Sequence, residues 1–89
     1  MSICRFWFEF DITMDDNPPP GTLVGCGVSA YDRDDALDQL KTKVFVDQPI
    51  PNIRREMVDV DVSELDQNHV LPNMGLVAKR GIWFPLGFE

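Results

Sequence analysis

The stretch Cys4 to Ile12, CRFWFEFDI, constrains this chain more than any other. Cys4, Phe6, Phe8, Phe10 and Ile12 fall on one side of an extended backbone, with Arg5, Trp7, Glu9 and Asp11 on the other. That is the period of two of a strand with one buried face. A face with three phenylalanines needs a cover, and the segment from about Asp32 to Phe45 is the candidate. Asp32 is placed to cap a helix whose first turn carries Asp34 and Asp35, where the helix dipole favours acids. Ala36, Leu37, Leu40 and Val44 then recur at helical spacing, and Lys41 and Lys43 sit toward the C-terminal end. The pattern predicts a sheet carrying one helix.

Around these two elements, Thr13 to Gly21 is a loop, because Pro18, Pro19 and Pro20 remove backbone donors in succession. Leu23 to Tyr31 reads as a second strand whose glycines, Gly25 and Gly27, signal a bulge or a close approach by another segment. Pro49 and Pro51 mark a connection after the helix. Arg54 to Val62 reads as a third strand, with Val58, Val60 and Val62 facing in and Met57, Asp59 and Asp61 facing out. Ser63 to Asp66 resembles a helical turn capped by Ser63. Leu76 to Leu86 supplies a last strand, broken at Gly81. The expected fold class is therefore α+β, a mainly antiparallel four-stranded sheet with one principal helix on one face, in the order ββαββ. A helical crossover places strand three beside strand one. The expected strand order is 2-1-3-4, with a position beside strand two left open for the last strand.

Eighty-nine residues, 1–89, make one domain with a small core. Fifteen acidic against eight basic side chains give a formal charge of −7. Such a chain repels phosphate backbones and anionic membranes and attracts a basic protein partner, so neither nucleic acid nor membrane is expected as a ligand. Cys4 and Cys26 are neither a zinc site nor a disulfide framework and point to a reducing, cytoplasmic setting; pairing of the first two strands leaves a single disulfide between them open. No signal-peptide pattern opens the chain, and no apolar run approaches the roughly 20 residues that span a bilayer.

Catalytic constellations are thin. His69 is the only histidine, with Asp61, Glu64 and Asp66 as its neighbours in sequence. Cys26 invites a nucleophile reading with His69 as base, yet no helix N-terminus or basic cluster flanks it to lower its pKa. The spacing of Asp59, Asp61 and Ser63 starts like a calcium loop and fails at Glu64 and Val70, where glycine and glutamate are required. Gly25 to Ser29 lacks the lysine of a phosphate loop. No catalytic residue, metal or cofactor is assigned. The tryptophans are more informative: by parity Trp7 and Trp83 share the sheet face opposite the helix, together with Glu9, Asp11, Asp59 and Asp61. Large aromatic anchors ringed by acids have the composition of a protein-binding hot spot, and these six residues form the expected partner-binding site. The competing expectation is that a loop folds over the tryptophans and completes a second small core.

The helix opening Tyr31-Asp32-Arg33-Asp34-Asp35-Ala36-Leu37 and the closing stretch Arg80-Gly81-Ile82-Trp83-Phe84-Pro85 sit in a small, acidic chain. In this it resembles short bacterial immunity proteins of contact-dependent toxin systems. The resemblance rests on size, charge and the order of strands and helix. It implies a non-enzymatic, cytoplasmic inhibitor that neutralises a cognate toxin domain, often a basic nuclease, by protein–protein binding, its acidic surface standing in for substrate phosphates. The alternatives are a small enzyme or ligand-binding domain using Cys26, His69 and nearby aspartates, and a homodimeric structural subunit joined through the exposed sheet face.

Overall fold

The computed structural model describes residues 3–61, 63, 65, 70, 74, 75, 77–85 and 88. Four strands and one helix follow in the order β1 (Cys4–Phe10), β2 (Cys26–Ala30), α1 (Arg33–Lys43), β3 (Ile53–Val58) and β4 (Gly81–Phe84), with a single 3₁₀ turn at Met14–Asp16 after β1. The class is α+β. The strands form one antiparallel sheet in the order β3-β1-β2-β4. Strand β3 lies beside β1 as the helical crossover requires, whereas β4 pairs with β2 and not with β3, which corrects the expected order and takes up the position left open beside strand two.

The packing of Trp83 gives the physical reason. A Cβ built on Gly27 would lie 2.4 Å from the Trp83 ring. Only glycine therefore lets β4 approach β2 with that ring laid across the strand. The register shifts between Gly27 and Val28 at this point. Arg80, at the entry to β4, forms a two-pronged ion pair with Asp35 on α1, and Ser29 Oγ donates to the carbonyl of Val77 at 2.5 Å. These contacts tie the last segment to the β2 side of the sheet.

The face that packs under α1 is the phenylalanine face. Phe6, Phe8 and Phe10 form one buried cluster with Cys26, Val28, Ala30, Ile82 and the helix residues Ala36, Leu40 and Val44; Phe45, just past the helix, closes it against Phe10 in an edge-to-face contact at 5.2 Å. Helix α1 begins as its sequence requires: the Asp32 side chain accepts from the Asp35 amide at 2.8 Å, and Asp35 reaches back to the Tyr31 amide at 3.1 Å. The first bond satisfies an amide that a helix start leaves without a partner, and the second ties the residue before the cap to the first turn. Gln39 is buried as well, its Nε2 donating to the Ser29 carbonyl at 3.3 Å.

Strand β3 is shorter than its valine pattern suggested. It stops at Val58, which is 58% exposed, because Asp59 takes a left-handed conformation with φ 54°. The turn at Asp59 carries Val60 to the opposite side of the sheet, where it is buried beside Trp7. The expected inward run of Val58, Val60 and Val62 is therefore not formed: Val58 faces solvent, Val60 joins the other face, and Val62 lies outside the described residues. Asp61 accepts from the Ser63 amide at 3.0 Å and hydroxyl at 2.8 Å, and the expected helical turn from Ser63 to Asp66 lies largely outside the described residues. Glu64, Asp66, Leu76 and Leu86 also lie outside the described residues.

Candidate binding surface

Both tryptophans sit on the sheet face opposite α1, as parity predicts, but neither is available as an anchor. Trp7 is 2% exposed and Trp83 is fully buried. Their rings stack at 6.0 Å, and Phe84 lies 5.6 Å from Trp7. Val60, Leu65 and Val70, from the segment after β3, cover them. The face is thus a second core. The expected exposed hot spot centred on Trp7 and Trp83 is corrected accordingly: in a domain this small, the area of two indoles is more stabilising when buried than when left in water. Phe84 joins this cluster too, although strict alternation from Ile82 would put it under the helix; the register shift opposite Gly27 accounts for the change. Among the described residues, Trp83 Nε1 finds no hydrogen-bond acceptor.

The four acids of the expected site do not converge. Arg5, near one end of β1, is bonded to Val60, which brings Asp59 and Asp61 to that end. Glu9 and Asp11 lie at the other end, where the Asp11 amide donates to Asn52. Six residues of strand separate Arg5 from Asp11, about 20 Å at roughly 3.3 Å per residue. Glu9 is engaged within the fold: it accepts from Trp7 Nε1 at 2.9 Å and lies 3.4 Å from Arg54 and 3.7 Å from Arg55. Asp61 is exposed and accepts from Ser63, whose hydrogen bonds hold its carboxyl below the usual range. Asp11 and Asp59 are exposed.

Between the Glu9 end of β1 and the covering segment lies a recess of about 360 Å³. Among the described residues, Trp7, Glu9, Val24, Arg55, Met57, Leu65 and Val70 line it. The ladder places these groups, setting Trp7 opposite Met57 and Glu9 opposite Arg55. The recess was not legible in the sequence, because its walls come from five separate stretches of chain.

No family model, curated protein or solved structure matches this chain.

The remaining candidates resolve by position. Cys26 is fully buried under α1, and burial pushes its thiol pKa far up, the opposite of what a nucleophile needs. The neighbouring Asp59 carboxylate raises the Cys4 thiol pKa as well. Both thiols are free. Cys4 stands opposite Ala30 and Cys26 opposite Phe8. They are offset by four strand positions, about 13 Å, beyond the roughly 7 Å Cα separation a disulfide tolerates. His69 lies outside the described residues. Among the described residues no three His, Cys, Asp or Glu side chains gather as metal ligands, and no helix is long and apolar enough to cross a membrane.

On the outer side of α1, Asp32, Asp34 and Asp38 are exposed, with Asp34 and Asp38 one turn apart. Asp35 belongs to a different group. Hydrogen bonds from Arg80 first, aided by the Tyr31 amide, lower its carboxyl pKa to about 2, and the Arg80 guanidinium also lies 5.5 Å from the Tyr31 ring centre. Asp35 is therefore a structural ion pair linking α1 to β4, while its neighbours face solvent.

Proposed function

We propose that this chain is a non-enzymatic binding protein that docks a basic protein surface, in the manner of an immunity protein neutralising a cognate toxin domain. The observation that carries the reading is the division of labour on α1: its inner side is committed to the phenylalanine core, whereas Asp32, Asp34 and Asp38 stand exposed at its N-terminal half. With a net charge of −7, such a surface speeds encounter with a basic partner by steering. Asp11 and Asp59 extend the acidic surface at either end of β1. The enzyme alternative loses its nucleophile to burial at Cys26, and the sheet face through which a homodimer was expected is covered by the segment after β3.

The test uses a partner recovered by pull-down with the tagged chain, followed by association and dissociation rates at low and high salt. Asp34→Asn combined with Asp38→Asn is expected to slow association several-fold at low salt and to flatten its salt dependence. Charges of this kind act over the Debye length, about 8–10 Å at physiological ionic strength. Dissociation and thermal midpoint should stay near wild type. Unchanged association at both salts means the partner docks elsewhere.

A further inference from the structure

We propose that the cleft between the loop after β1 and the connection from α1 to β3 seats an arginine side chain of a basic partner protein. The cleft holds about 520 Å³, and its two sides are tied together where the Asp11 amide donates to the Asn52 carbonyl at 2.8 Å. Ile12 and Ile50 supply apolar surface; both are half-buried and packed against the phenylalanine core, so their places are fixed. Pro49 and Pro51 flank Ile50, and their locked φ angles stiffen that side. Such a surface suits the aliphatic stem of a long cationic side chain, which lies along apolar groups and keeps its charged head in water.

The charge of the lining sets the sign of the occupant. Among the described residues that line the cleft, the ionisable ones are Asp11 and Asp16, both exposed. The Asp11 carboxylate makes no hydrogen bond or ion pair with any described residue. Asp16 uses Oδ2 for the Thr13 amide at 2.9 Å and hydroxyl at 3.5 Å, which leaves Oδ1 open. The cations closest in sequence are engaged elsewhere and do not line the cleft: Lys41 Nζ donates to the Gln48 carbonyl at 2.9 Å, and Arg54 pairs with Glu9 at 3.4 Å. Open carboxylate oxygens beside an apolar surface match a guanidinium, which is planar, weakly hydrated and carries a fork of donors. The inference rests on the reading of a basic partner and gives that partner a point of attachment apart from the acids of α1.

The probes are the acetylated and amidated tripeptide Gly-Arg-Gly and its citrulline counterpart, alike in shape and different by one charge. Titrated at low salt into the ¹⁵N-labelled chain, the arginine peptide is expected to give saturable shifts with a Kd of about 10 mM or tighter, largest at the amides of Ile12, Ile50 and Asn52. The citrulline peptide should give none. Asp11 has an exposed side chain and keeps its amide bond to Asn52 when substituted, so Asp11→Asn should weaken binding at least about fivefold with the thermal midpoint unchanged. Asp34→Asn with Asp38→Asn removes more charge, yet from α1, and should weaken it less than Asp11→Asn does. No partner enters the titration, so loss of this site and loss of docking through α1 are read separately. The proposal is overturned by no saturable response to the arginine peptide, by equal binding of the citrulline peptide, by shifts as large along α1 as at the cleft, or by a folded Asp11→Asn protein that binds as wild type.

Discussion

Phe8→Ala is expected to destabilise the fold by about 3–5 kcal/mol, the cost of emptying a fully buried aromatic site. Phe8 has no exposed surface, stacks against Phe6 at 6.0 Å and Phe10 at 6.4 Å, and lies in the cluster closed by Leu40 and Phe45. Domains of this size have total stabilities of about 5–15 kcal/mol, and each kcal/mol lowers the midpoint by roughly 4–8 °C. Thermal unfolding followed by circular dichroism should therefore show a midpoint more than about 12 °C lower, or no cooperative transition. A midpoint unchanged from wild type would mean that the helix does not cover this face.

The second large effect concerns the other side of the sheet. Trp83→Ala removes a fully buried indole stacked on Trp7 and should cost about 3–5 kcal/mol. Gly27→Ala attacks the same contact from the opposite direction, since the new methyl would sit 2.4–2.5 Å from three carbons of the Trp83 ring. Overpacking of this kind costs about 1–3 kcal/mol, or more where the ring cannot move. The two effects should not add: once the ring is gone, the methyl has space, so the double variant should be little worse than Trp83→Ala alone. Denaturant unfolding of the four proteins measures the coupling directly. Additive losses would mean that Gly27 is needed for a reason other than the approach of Trp83.

The elements held in place by their own periodicity were legible in the sequence. Strand β1 and helix α1 carry their instructions locally, in the alternation of Phe6, Phe8 and Phe10 and in the Asp32 cap with Leu40 and Val44 behind it. What was not legible depends on pairs distant in sequence. The place of β4 follows from the fit of Trp83 over Gly27, and nothing in either residue's own neighbourhood announces the other. The end of β3 follows from one left-handed residue, Asp59, a conformation that aspartate tolerates but does not require. That single turn exposes Val58 and sends Val60 to the far face. The burial of the tryptophans was open for the same reason: Val60, Leu65 and Val70, five residues apart, match neither strand nor helix spacing, so the segment bears no mark of a cover. The acids were legible as a charge but not as a site, because parity assigns a face and says nothing of the distance between the two ends of β1.

That the sheet separates two cores is tested most directly by quenching tryptophan fluorescence with acrylamide in the native and denatured protein. Both indoles sit within the fold, Trp7 at 2% exposure and Trp83 at none. The native protein should emit at short wavelength with little quenching, and denaturant should shift the emission to the red and open both rings to acrylamide. Native emission already red-shifted, with quenching close to that of the denatured chain, would contradict the account and return Trp7 and Trp83 to the surface as the anchors of a docking face.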